Sequence, residues 1–116
     1  MVKNKLDVKA KFIRAFSDKT RLQILECIKD SEKPVSQIVE ELNGNQSNIS
    51  QHLACLKGCG IIVSRQEGKY MYYSLQSEQI KLLLTMMDHV FHQVEEEVTA
   101  CEKNDQLDCC VRQQEV

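Results

Sequence analysis

The Asn43-Gly44 pair constrains the fold of this chain more than any other feature. It divides one apolar pattern into two short helices. Before it, VSQIVEEL turns Val35, Ile38, Val39 and Leu42 inward at helical spacing. After it, NQSNISQHLACLKGCG carries Ile49, Leu53 and Leu56 about one turn apart and ends on Gly58 and Gly60. Asn-Gly tolerates positive φ and makes a tight turn. Asn45 or Ser47 can cap the second helix, which runs to about Gly58. A short helix, a tight turn and a second helix form a helix–turn–helix unit.

The segments on either side fit that unit. Upstream, DVKAKFIRAFS spaces Val8, Phe12 and Phe16 as a helix, with Ile13 beside them. DKTRLQILECIKD follows, with Asp18 or Thr20 as its cap and Leu22, Leu25 and Ile28 on one face. Cys27 within it reads as a small buried apolar residue. SEKPV is a break. Downstream, IIVSRQEGKYMYYSL alternates around the turn QEGK and predicts a β-hairpin. From Ser77, near whose side chain or Gln76 the cap falls, to about Cys101 one long helix follows. Ile80, Leu83, Leu84, Met87, Val90, Phe91, Val94 and Val98 form its apolar stripe. The expected fold is mainly α with a small β-hairpin: a winged helix–turn–helix. Residues 1–103 form its DNA-binding and dimerisation domain, and residues 104–116 a polar, cysteine-containing tail.

Length and composition limit the alternatives. At 116 residues with no Trp, the core of one copy is small, so burial against a second copy is expected. No stretch approaches the ~18 apolar residues of a membrane span, and the N-terminus does not read as a signal peptide. The expected location is the cytoplasm. The net charge of −2 hides an uneven distribution: residues 76–116 hold nine acidic and three basic residues, so the acidity is confined to the C-terminal third. The rest can approach phosphate without strong repulsion.

On a helix of about 100° per residue, Ile49, Leu53 and Leu56 share the inner side of the helix 46–58. Ser47, Ser50 and Gln51 lie outward, flanked by Gln46, Asn48 and His52. The charges usual on a solvated face are missing until Lys57. Short polar side chains of this kind suit base edges and phosphates. Arg65 and Lys69 bracket the hairpin tip, where cations reach phosphate or the minor groove. The expected DNA-contacting set is therefore Gln46, Ser47, Asn48, Ser50, Gln51, His52, Lys57, Arg65 and Lys69.

Six cysteines stand at 27, 55, 59, 101, 109 and 110. In a reducing compartment they point to metal ligation or redox sensing sooner than to disulfides. Cys55 and Cys59 are i,i+4 neighbours off the core side. They are either two small residues at the core rim or two soft donors suited to soft ions and zinc. Two sulfurs do not complete a site, and Cys101 ends the long helix.

The chain resembles the ArsR/SmtB family of metal-responsive repressors. The residues that carry the resemblance are S-x-x-S-Q-H-L-x-x-L from Ser47 to Leu56, the G-x-G-I-I exit, the R-x-x-G-K-x-x-Y-Y wing and D-K-T-R-L-x-I-L from Asp18. It spans roughly residues 8–100. It implies a homodimer, joined through the first and last helices, that occupies operator DNA as apo-protein and leaves it when metal binds. Many members carry a cysteine motif in the helix before the recognition helix, but VSQIVEEL has none. Others carry an Asp/His site on the last helix. Here Asp88, His89, His92 and Glu96 lack the usual spacing, so His89 and His92 are a weak second site for zinc. HLACLKGCG instead resembles the cadmium/lead sensors of the CmtR/CadC type. By that match Cys55, Cys59 and Cys101 are the metal ligands, and Cys109 and Cys110 replace or supplement Cys101. The implied inducer is Cd(II) or Pb(II), with Zn(II) also accommodated.

Two rival readings use the same thiols: a redox-sensing repressor of this fold, and a cytosolic metal carrier that does not bind DNA. No nucleophilic Ser/His/Asp or Cys/His pair and no glycine-rich phosphate loop appears, so neither an enzyme nor a small-molecule substrate is expected.

Overall fold

The computed structural model describes residues 4–101. The expected boundary at 103/104, the tail 104–116, Cys109 and Cys110 lie outside the described residues. The element order is α1 (Lys5–Arg14), α2 (Lys19–Ile28), β1 (Lys33–Pro34), α3 (Val35–Leu42), α4 (Gln46–Gly58), β2 (Ile62–Glu67), β3 (Tyr70–Leu75) and α5 (Glu78–Ala100). The chain divides into two compact units, residues up to Lys81 and residues from Leu82 onward. Among the described residues no helix is long and apolar enough to cross a membrane.

In the first unit α2, α3 and α4 pack on one another, and α4 also meets β2. Ile24, Leu25 and Ile28 of α2, Ile38 of α3, and Ile49, Leu53 and Leu56 of α4 are fully buried, together with Ile61 and Ile62. Nine branched aliphatic side chains fill this centre without any buried polar residue, so the helix–turn–helix is rigidly seated. The expected inward face of α2 requires a correction. Leu22 is exposed and Ile24 is buried in its place. The core stripe follows i, i+1, i+4 spacing, not the i, i+3, i+6 row, because α3 and α4 both pack against α2.

Four of the five helix starts, all but that of α3, carry a side-chain cap. The side chains of Asn4, Asp18, Asn45 and Ser77 accept from the backbone N–H three residues on, at 2.9, 3.0, 3.0 and 3.3 Å. These bonds satisfy donors that the first helical turn leaves open. Between α3 and α4, Asn43 adopts φ 52°. A Cβ on Gly44 would stand 3.0 Å from Ile49 Cδ1, a tight contact that the Ile49 side chain would have to yield to, so glycine lets the turn lie close against the core. Asn45→Ala removes the cap of α4 and is expected to cost about 1 kcal/mol. Thermal unfolding checks this: the midpoint should fall by several degrees with helicity retained.

The sheet has the order β1-β3-β2 and is antiparallel throughout. Glu67 pairs with Tyr70 across a two-residue loop, Gly68-Lys69, the expected wing. The segment expected as a break contributes a strand: Lys33 pairs with Tyr73, and Pro34 with Tyr72. Pro34 is tolerated there because β1 is an edge strand.

Cys27 also departs from expectation. It is half-buried in a polar cluster. Its thiol donates to Glu41 Oε1 at 3.3 Å, and Lys33 Nζ donates to Cys27 Sγ at 3.6 Å and to Glu41 Oε1 at 2.7 Å. Gln37 Nε2 donates to the other carboxylate oxygen at 2.7 Å. Burial and the bond to Glu41 push the Cys27 thiol up. The ammonium of Lys33, with Gln37 and Cys27, holds the Glu41 carboxyl at about 2. The cluster joins α2, β1 and α3.

In the second unit Leu82, Met86, Val90, Phe91, Val94 and Val98 of α5 are exposed. On α1, Leu6, Val8 and Ile13 are exposed as well, whereas Phe16 of the expected apolar set is buried just beyond the helix.

Candidate nucleic-acid interface and thiol pair

Helix α4 exposes a polar face and, nearer its end, two cysteines. Gln46, Ser47, Ser50, Gln51 and Ala54 line one shallow concavity on its outer side. All five are exposed, and Asn48 is exposed beside them. The buried residues Ile49, Leu53 and Leu56 fix this orientation, since they hold the opposite side of the helix in the core. His52 is less outward than expected. It is half-buried, with Nε2 3.8 Å from Asp18 Oδ2 at the start of α2. Lys57 is exposed in the last turn, where a cation complements the helix dipole.

The two expected cations of the wing are placed differently. Lys69 is exposed in the loop itself. Arg65 lies opposite Tyr72, two pairs back from the loop. Its guanidinium pairs with Glu32 through Nε and Nη2, donates to Glu67 at 2.6 Å, and lies 5.1 Å from the centre of the Tyr72 ring. The bond from Arg65 holds the Glu32 carboxyl below the usual range. Arg65 therefore fastens the wing to the segment before β1. This role was not legible in sequence, because Glu32 lies 33 residues away.

Cys55 and Cys59 lie one turn apart at the end of α4, where the N–H of Cys59 donates to the Cys55 carbonyl at 3.0 Å. Cys55 is exposed and Cys59 is partly exposed. The chain leaves the helix through Gly60 at φ 79°, a left-handed position that suits glycine. The guanidinium of Arg21 donates to Cys55 Sγ at 3.4 Å. Sequence reasoning missed this neighbour. Its backbone N–H is held by Asp18 at 3.0 Å, and its Nε is buried without an acceptor among the described residues.

The remaining candidates lie on or beside α5. Cys101 is a free, partly exposed thiol whose N–H donates to the Val98 carbonyl at 3.2 Å. His92 faces two carboxylates of its own helix, Asp88 at 3.6 Å and Glu95 at 3.4 Å. His89 is exposed. Among the described residues no three His, Cys, Asp or Glu side chains form a group able to hold a metal ion. The thiol pair of α4 is open to solvent.

Known proteins share this fold. The sequence profile of bacterial regulatory proteins of the arsR family matches residues 18–64, from the cap of α2 into the wing. A probable mercury resistance operon repressor of Streptomyces lividans is 32% identical over 106 residues, which cover 91% of this chain and 78% of that protein. The transcriptional regulator CmtR of Mycobacterium tuberculosis is 37% identical over 71 residues, covering 61% of this chain and 60% of CmtR. A solution structure of a homodimeric winged helix–turn–helix DNA-binding domain from Mycobacterium bovis superposes with a TM-score of 0.71 at 29% identity, covering 78% of this chain and 85% of that one. With the helix–turn–helix, the wing and the matched profile all in register, the chain belongs to the arsR family of bacterial regulatory proteins and is a regulator, not an enzyme.

Proposed function

We propose that this chain is a cytoplasmic, metal-responsive transcriptional repressor. As an apo-homodimer it holds operator DNA, and binding of Cd(II) or Pb(II) to cysteine thiolates releases it. The observation that carries this reading is the double use of α4: an outward polar face and, one to two turns later, two accessible thiols.

DNA contact falls to Gln46, Ser47, Asn48, Ser50 and Gln51 on α4, with Lys57 and Lys69 meeting phosphate. The Gln51 amide pairs with adenine, and the serine hydroxyls pair with base edges or phosphate. His52 and Arg65 support the interface from behind through Asp18 and Glu32. The dimer is supported by the exposed apolar side chains of α1 and α5. A small core gains most from covering such surface with a second copy.

Cys55 and Cys59 fit a soft ion by donor type and position. A third thiolate comes from the C-terminal cysteines, with Cys101 preferred over Cys109 and Cys110. Zinc is accommodated less selectively, and His89 and His92 remain a secondary zinc site. The Streptomyces relative described as a mercury resistance repressor and the relation to CmtR agree with soft-metal control. The ion, when bound, ties the end of α4 to that third ligand. This constrains the helix that reads DNA, with Gly60 as the point of bending. Metal and operator then oppose each other, and each weakens the other by one common factor, typically about 5- to 150-fold.

Fluorescence anisotropy with the DNA upstream of the chain's own gene tests this reading. Apo-protein should bind with a steep salt dependence and leave on addition of cadmium. Lys69→Ala should weaken binding uniformly across sequences and reduce the salt slope by about 2, one phosphate contact being lost from each protomer. Release by peroxide but not by cadmium would favour the redox reading. Absence of salt-dependent binding would favour a metal carrier.

A further inference from the structure

Arg21 and Cys55 are not among the residues proposed to contact DNA, yet they touch each other. The two residues lie 34 positions apart, on α2 and α4, and Nη1 donates to Sγ at 3.4 Å. Arg21 is held at three levels. Its backbone is fixed by the Asp18 cap, its Nε is buried, and its outer nitrogen meets the sulfur. Asp18 in turn stands 3.8 Å from His52, one turn before Cys55 on α4. The start of α2 thus fixes the side of α4 that bears the first thiol.

A neutral thiol is a weak acceptor, whereas a metal-bound thiolate is anionic and a much better one. Three thiolates around a divalent ion leave a net charge of −1. A guanidinium already seated on one sulfur offsets that charge without reorganising. Residues that hydrogen-bond to metal ligands orient them and tune the metal. Resting on the reading of Cys55 as a ligand, we propose that Arg21 is the positioning residue of the thiol site. It orients the Cys55 sulfur, donates to it once the ion is bound, and so sets metal affinity. It does not contact the ion.

Cadmium binding, measured by chelator competition and by the sulfur-to-cadmium absorption band, tests the proposal on the full-length chain. Arg21→Met keeps the apolar stem and removes the donor. It should weaken cadmium binding about 10- to 100-fold. It should also move the band to longer wavelength, because an N–H donor lowers the energy of the sulfur lone pair. Arg21→Lys, which keeps a cation but loses the fork, should restore part of both. In a Cys55→Ser background Arg21→Met should change nothing further, since its effect passes through that sulfur.

Unchanged affinity and band in Arg21→Met, alongside a Cys55→Ser protein that has lost both, overturn the role of Arg21 alone. The same fold-loss with and without Cys55 overturns it as well, because it marks a purely structural effect. If Cys55→Ser keeps wild-type affinity and band, Cys55 is not a ligand, and the metal reading of this cysteine and the role of Arg21 fall together. Should Arg21→Met unfold, Arg21→Leu, which also lacks a donor, carries the same comparison, with helicity by circular dichroism as the check on folding.

Discussion

Phe91→Glu combined with Val94→Glu is expected to convert the protein to monomers and to lower operator affinity about 10²- to 10⁴-fold. Both residues are exposed on α5, at 43% and 40% of their surface, so the charges do not enter the core of a single copy. They fall instead on the apolar stripe that we propose a second copy covers. Helix–turn–helix dimers read two half-sites about one DNA turn apart, and the second contact is made at the high effective concentration set by the first. Splitting the dimer removes that gain and leaves each reading face intact. Light scattering gives the mass and anisotropy the affinity. A double variant that remains dimeric, or binds operator as tightly as the parent, would show that α5 does not form the dimer contact.

The second large effect concerns the thiols. Cys55→Ser should weaken cadmium binding by on the order of a hundredfold or more while leaving apo-protein on its operator. Fully ligated thiolate sites release about 10–16 kcal/mol on binding zinc, so loss of one ligand among three or four removes several kcal/mol. Cys55 is exposed and bonds to Arg21, so the oxygen replacing its sulfur does not disturb the nine-residue aliphatic core. Cys59→Ser should behave alike. Cys27→Ser should not, because that thiol is engaged with Glu41 and Lys33 and burial works against its ionisation. The ligands lose protons when metal binds, so cadmium affinity of the parent should fall as pH is lowered. Parallel titrations of the three variants against a chelator separate these outcomes.

The parts of the fold legible in sequence were those written in local chemistry. Asn43-Gly44 marked the turn, Asn45 and Ser77 the caps, and the alternation around Gly68 the wing. The spacing of Ile49, Leu53 and Leu56 alone oriented α4, and so placed Ser47, Ser50 and Gln51 outward. What was not legible depended on residues distant in the chain. A two-residue strand at Lys33-Pro34 carries no periodicity of its own and exists only because β3 lies beside it. Leu22 and Ile24 are equally apolar, and packing of both α3 and α4 on α2 decides between them. Cys27 looked like core because its partners, Lys33 and Glu41, belong to other elements. Arg65 looked like a free wing cation because Glu32 is far away in sequence. Arg21 likewise gave no sign of facing Cys55. The thiol spacing on α4, in contrast, follows directly from helical geometry.

In the proposed mechanism one helix, α4, serves two opposed ligands. Its most direct test is a single titration of the labelled operator complex with cadmium, reading anisotropy and the sulfur-to-cadmium absorption band together. The band should grow and the DNA should be released over the same range of added metal. Adding chelator should restore the complex, and Cys55→Ser should show neither change. A band that saturates while the protein stays on its operator would contradict it.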